Sequence, residues 1–123
     1  MCAARHAFQD PGKAVVGDAY DRGLTDPLPA NRPTVAAGAH LYRTHCTACH
    51  GPGGAGNGPA AAALSPPPAN LTWLMRLPIA SDGYLMWTIS DGGAALGSAM
   101  PAFKPALSDT ERWQLVRYLQ TRR

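Results

Sequence analysis

From Val35 to the end of the chain, apolar side chains return at helical rather than alternating intervals. Val35, Gly38, Ala39, Leu41 and Tyr42 make one face of a helix that runs straight into Cys46. Ala60 to Leu64 read as a helical turn, and Pro66-Pro67-Pro68 then forces an extended corner, because proline fixes φ and removes a donor. Leu71 to Leu77 and Ser81 to Ser90 predict two short helices. The second has Ser81 or Asp82 as N-cap and offers Tyr84, Leu85, Trp87 and Ile89 to a core. The last helix is the clearest. Ser108-Asp109-Thr110-Glu111 is a capping box, and the stripe Trp113, Leu115, Val116, Tyr118, Leu119 carries the helix to about Thr121. No run of β-branched residues occurs, so the expected class is all-α, with about four to five short helices.

Residues 1 to 34 are of another kind. Seven prolines and glycines from Pro11 to Pro33 interrupt them, and no period of either type is sustained. The expected organisation is an extended or disordered arm over 1–34, with His6 a bystander in it, and a folded domain over 35–123. The alternative for the arm is a segment that orders along a larger partner.

With 123 residues, 46% of them hydrophobic and 15% charged, the chain has material for a single small core. Its apolar content is mostly Ala and Leu, which favours helices separated by Gly/Pro loops. No stretch approaches the roughly 20 apolar residues of a membrane span, and no apolar signal region follows Met1. The arm's charges cancel, so the net +3 belongs to residues 35–123. There Arg43, Arg76, Lys104, Arg112, Arg117, Arg122 and Arg123 outnumber Asp82, Asp91, Asp109 and Glu111. The excess favours an acidic docking partner. Nucleic acid is not expected, since the basic residues neither cluster nor interleave with aromatics. Arg122 and Arg123 read as solvated charges at the negative end of the last helix.

The chemistry is concentrated in Cys46-Thr47-Ala48-Cys49-His50. Two thiols and an imidazole within little more than one helical turn can bond a haem twice through thioethers and ligate its iron, which is the reading of CxxCH as a c-type haem site. A structural zinc site needs four ligands, and the only other cysteine, Cys2, lies 44 residues upstream. A thioredoxin-like pair needs a βαβ pattern that is absent from the sequence. His40 and His45 are alternative iron ligands only if they displace the tethered His50. The glycine-rich loop after His50 lacks the strand and the Lys-Ser/Thr of a phosphate loop. Downstream, Met100-Pro101 in a loop is well placed to present a thioether as second axial ligand, whereas Met75 and Met86 sit in apolar helical surroundings that suit core filling. The helices of residues 71–90, Trp87 included, are expected to wall the cofactor, which would be part of so small a core.

Taken in that order, the motif, the Met-Pro and the terminal aromatic helix make residues 35–123 resemble a class I (monohaem) cytochrome c domain. The resemblance implies the class I fold around one covalent haem c, with its terminal helices crossing where Gly38/Tyr42 meet Leu115/Tyr118. It also implies a proline carbonyl holding Nδ1 of the ligand histidine, with Pro59 the candidate and Pro66 to Pro68 behind it. The His50 to Met100 separation of 50 residues is shorter than in mitochondrial-type members, so the loop between them must differ.

The implied function is one-electron transfer between redox proteins, with His50 and Met100 both on the iron and no catalytic residue required. The rival is a haem enzyme or gas sensor in which the Met ligand is absent or labile. Covalent haem attachment is generally completed outside the cytoplasm, so the expected location is the periplasm or the outer face of a bacterial membrane, and the chain reads as a mature one. The arm loosely resembles that of lipid-anchored cytochrome subunits of respiratory or photosynthetic complexes. Cys2 is then a residue foreign to the native chain, a thiol that pairs with another chain, or the acylated first residue of a lipoprotein that touches the membrane.

Overall fold

A computed structural model describes residues 24–93 and 97–123. Cys2, His6 and the rest of the arm before Leu24 lie outside the described residues. Asn31 opens the first helix by accepting the Thr34 N–H on its side chain at 3.1 Å, with Pro33 in the first turn where no donor is missed. Helix α1 therefore spans Arg32–His45, starting three residues before the apolar period becomes visible at Val35. A second, one-turn helix, α2 (Thr47–His50), follows at once. Gly51 ends it at φ +80°, a backbone conformation that only glycine adopts without strain.

A 3-10 turn covers Ala61–Ala63, and α3 covers Leu71–Leu74 with Asn70 capping Trp73 N–H at 3.1 Å. This helix is shorter than the sequence pattern predicts. Residues up to Leu77 wind on in single turns, Arg76 N–H to Trp73 O at 3.1 Å and Leu77 N–H to Leu74 O at 3.0 Å, because a residue before proline resists helical geometry and Pro78 follows. Helix α4 (Asp82–Asp91) is capped by Ser81 rather than Asp82, and all of Gly83–Ser90 is buried. A helix covered on every side belongs at the centre of a domain. Helix α5 (Asp109–Gln120) starts on the expected capping box, with Glu111 N–H to Ser108 Oγ at 3.1 Å and Ser108 N–H to Glu111 Oε1 at 2.9 Å. Among the described residues there is no strand, and no helix is long and apolar enough to cross a membrane.

Helices α1 and α5 cross at Gly38. A Cβ there would lie 2.1 Å from the Gln114 carbonyl oxygen and 2.7 Å from Tyr118 Cβ, so the two backbones approach as only a missing side chain permits. One turn on, the Tyr42 and Tyr118 rings meet with centroids 5.3 Å apart, and Leu115 is buried in the same core. The Arg122 guanidinium lies 5.5 Å and 5.1 Å from the centroids of these two rings and donates to Tyr118 Oη at 2.7 Å. Arg123 donates to Ala80 O at 2.5 Å. Arg122, half-buried against the tyrosines, is not the freely solvated charge expected of it, whereas Arg123 stays exposed while it donates to that loop carbonyl.

The stretch before α1 is bound too. Arg117 of α5 donates to Leu28 O at 2.9 Å and Asp26 O at 3.1 Å, and its Nε lies 3.4 Å from the buried Asp26 carboxylate. Asp26 N–H reaches Asp82 of α4 at 2.8 Å. Burial raises the Asp26 pKa even though the Leu28 N–H and Arg117 pull it down. Residues 24–31 thus lie along α4 and α5 rather than away from the domain.

The crossing makes a test. Gly38→Val should destabilise the domain by about 1–3 kcal/mol, the usual scale of overpacking, read as a lower denaturation midpoint. An unchanged midpoint would mean that the helices can separate at no cost.

Candidate functional site

Helix α1 ends by delivering Cys46, whose N–H donates to Tyr42 O at 2.9 Å, and the chain turns back within one residue into α2. His50 N–H to Cys46 O at 2.9 Å closes that turn. The turn puts the two Sγ atoms, both half-buried, and the buried His50 ring on the same side of one short segment. In the structure these sulfurs are free thiols and stand for the atoms that thioethers would use. Burial pushes the Cys46 thiol up to about 12, with Cys49 adding to the rise. Redox-active CxxC pairs have lowered thiol pKa values, so this environment is the reverse of theirs.

His50 Nδ1 lies 3.0 Å from the Ala69 carbonyl oxygen. A carbonyl only accepts, so Nδ1 carries the proton and Nε2 keeps its lone pair for a metal. Burial, the largest effect, lowers the His50 pKa to about 4 against the pull of Ala69, and the ring is neutral at physiological pH. The partner carbonyl is not that of Pro59. Gly58 N–H to Cys49 O at 3.0 Å and Ala60 N–H to Ala48 O at 2.8 Å pin residues 58–60 behind α2, leaving Pro59 on an exposed corner. Gly56 N–H to His50 O at 2.8 Å and Leu71 N–H to Gly54 O at 2.6 Å bring residues 69–71 to the histidine instead. A backbone carbonyl leaves no mark in a sequence, and for Ala69 there was no signal to find.

A cleft lined mostly by apolar atoms opens beside the motif. His45, Cys46, Cys49 and His50 form one wall, Leu64, Pro66 and Pro68 a second, and Ala99, Met100, Pro101 and Phe103 a third. Met100, 50 residues from His50 in sequence, faces the same space as the motif. Met75 and Met86 are buried in the core at 2% and 5% exposure and do not line it. Nor does Trp87, which packs its ring against Tyr84 at 5.7 Å within the buried span of α4. No residue of α3 or α4 lines the cleft, so the helices expected to wall the cofactor pack into the core behind it instead. His40 is exposed. His45 stands at the cleft rim, edge-on to Phe103 at 5.5 Å.

Two thiols, a neutral buried imidazole with a free Nε2 and a thioether on one largely apolar cleft are groups that could hold a covalent haem. The sequence profile of the family described as cytochrome c oxidase, cbb3-type, subunit III matches residues 33–119. The chain belongs to that family. It is therefore a cytochrome c, all-helical, and its cofactor is covalently bound haem c. Among curated relatives, the cbb3-type cytochrome c oxidase subunit FixP of Azorhizobium caulinodans is 31% identical over 102 residues, covering 83% of this chain and 32% of FixP. Among solved structures, a chain of the Kuenenia stuttgartiensis reducing HAO-like protein complex Kustc0457/Kustc0458 superposes with a TM-score of 0.66 at 29% identity, over 81% of this chain and 47% of that one. The cytochrome thus spans about a third of the curated relative and about half of the solved chain.

The haem segment is braced from behind by Tyr42, 1% exposed, whose hydroxyl donates to Gly51 O at 2.5 Å. Burial pushes this phenol up to about 12 from 10.0, so it stays a donor in alkaline solution. A folded-state pKa above the unfolded one contributes stability that is complete below pH 10 and lost as pH rises toward 12. Tyr42→Phe should cost roughly 0.5–1.5 kcal/mol at neutral pH by removing one of the two hydrogen bonds to the Gly51 carbonyl, the other coming from Gly54 N–H at 3.1 Å. It should also flatten the loss of stability between pH 10 and 12, measured as denaturation midpoint against pH.

Proposed function

We propose that this cytochrome c is a one-electron carrier with His50 and Met100 as axial ligands and Cys46 and Cys49 as the thioether residues. The observation that supports the reading is the shared cleft, onto which all four residues open from opposite walls. Haem c supplies an Fe(II)/Fe(III) couple when bound. The residues of the chain do the rest. Cys46 and Cys49 fix the ring to the backbone, and the Ala69 carbonyl orients His50. Met100 would supply the second protein ligand, and the apolar walls would exclude water. A thioether ligand and apolar burial both favour the ferrous state and raise the potential. With both axial positions filled, no substrate site is required and the chain is not itself an enzyme.

Its partners are redox proteins of a larger membrane-bound complex, at the periplasmic face. The supporting observation is that both relatives carry names of multi-protein electron-transfer assemblies. An acylated Cys2 would add an anchor to this assembly. The basic surface available for docking is smaller than charge counting suggests. Arg112 is buried, and Arg117 and Arg122 are half-buried and donate to neighbouring groups, which leaves Arg32, Arg43, Arg76, Lys104 and Arg123 as the exposed cations among the described residues.

Two measurements test the site. Replacing both Cys46 and Cys49 by Ala should abolish haem staining of the chain after denaturing electrophoresis, and staining that persists would remove the thioether assignment. Met100→Ala should abolish the Met-to-iron charge-transfer band of the oxidised protein, lower the potential and open the iron to cyanide or carbon monoxide, whereas Met75→Ala and Met86→Ala should do none of these. If Met100→Ala keeps the band, another methionine is the ligand, and if the wild-type protein lacks the band, the enzyme or sensor reading takes precedence.

A further inference from the structure

The strap that carries Met100 leaves α4 at Asp91 and rejoins the helices at Ser108. Among its described residues, the first limb is tied by bonds within the strap. Gly93 N–H donates to Met100 O at 2.9 Å, Ser98 N–H to Gly93 O at 2.9 Å, and Met100 N–H to Ser98 Oγ at 3.2 Å. Past Pro101, Phe103 and Lys104 donate to Ile89 O at 3.0 Å and Ser90 O at 3.1 Å. Those are carbonyls of the last turn of α4, which the helix cannot satisfy internally. A Cβ on Gly92 would come within 2.6 Å of the Pro101 and Ala102 backbone, so the strap lies directly on the helix end.

Arg112 stands where these threads converge. It is charged yet only 4% exposed. Its Nε donates to Leu107 O at 3.2 Å and, more weakly, to Ser108 O at 3.4 Å. Its Nη1 donates to Ser90 Oγ and its Nη2 to Asp109, whose side chain is 83% exposed. One guanidinium therefore grips both the point where the strap leaves α4 and the limb by which it returns to α5. The planar fork of arginine can hold these separate directions at once, and the point charge of lysine cannot. Burying a cation is unfavourable compared with an apolar side chain of similar size. Its presence here therefore calls for a role beyond filling space.

We propose that Arg112 is the positioning residue for Met100. By fixing both ends of the strap, it keeps the thioether sulfur against the iron and limits how often the sixth position opens to outside ligands. The inference rests on the reading of Met100 as that ligand.

The test uses the full haem-loaded chain, with cyanide as probe, at a denaturant concentration where every variant is folded by circular dichroism. Arg112→Met should raise the rate of cyanide binding to the ferric protein by about tenfold or more, the scale of one lost charge-assisted hydrogen bond, and should weaken the charge-transfer band. Arg112→Lys should be intermediate, and Ser90→Ala should raise the rate by a smaller factor. A core variant of comparable destabilisation, Met75→Ala, should leave rate and band alone. If Arg112→Met does not fold, Arg112→Lys and Ser90→Ala decide the question. A folded Arg112 or Ser90 variant that is less stable but binds cyanide at the wild-type rate would reduce Arg112 to a structural role. A wild-type protein without the band, in which Met100→Ala binds cyanide no faster, would instead overturn the ligand reading itself, and the two failures are thus distinguishable.

Discussion

Everything in this domain is referred to the point where α1 and α5 touch backbone to backbone. Without a side chain on Gly38, the Gln114 carbonyl occupies the space where a Cβ would stand, and the crossing fixes the line along which α1 arrives at Cys46. From there the haem segment has little freedom. Tyr42, one turn after the crossing glycine, packs on Tyr118 and holds the Gly51 carbonyl, so the same helix face that makes the crossing also braces the end of α2. Packing at one place thus sets geometry at another through a single rigid turn.

The second organising element is α4, buried over its whole middle. Its start reaches the segment before α1 through Asp82 and Asp26, and its end receives the strap that carries Met100. The histidine wall and the methionine wall of the cleft come from chain segments 50 residues apart. What relates them is the α1–α5 pair on one side and the C-terminal turn of α4 on the other. So small a core leaves the cofactor to fill the space between.

How much of this could be read beforehand follows from where the information is written. The CxxCH segment, the capping box of α5 and the Met100-Pro101 loop are side-chain signals at fixed spacing, and they stand where the pattern put them. Gly38 was legible as a crossing glycine through the likeness to class I cytochromes c, although its nearest contact is the Gln114 backbone, with Tyr118 Cβ next. What could not be read was carried by main-chain groups or by tertiary neighbours. Ala69 serves His50 through its carbonyl, and Pro59, the expected donor of that service, is held on the outside by backbone bonds behind α2. Trp87 was placed at the cofactor because it lies on an apolar helix, yet periodicity does not say which of several buried faces meets which neighbour. Arg112 counted as a surface charge, since burial of a cation depends on carbonyls that only the folded chain assembles.

The neutral state of His50 bears on how this protein matures. An imidazole already deprotonated at physiological pH by its surroundings gives up no proton when iron arrives, so ligation is not taxed by acidity in the compartment where it happens. The burial that prepares the ring belongs to the folded chain, because Ala69 and the walls of the cleft reach it only through tertiary structure. Before folding, the same histidine has the ordinary proton affinity of its kind and competes for iron on worse terms. Haem capture and chain collapse are therefore mutually reinforcing steps.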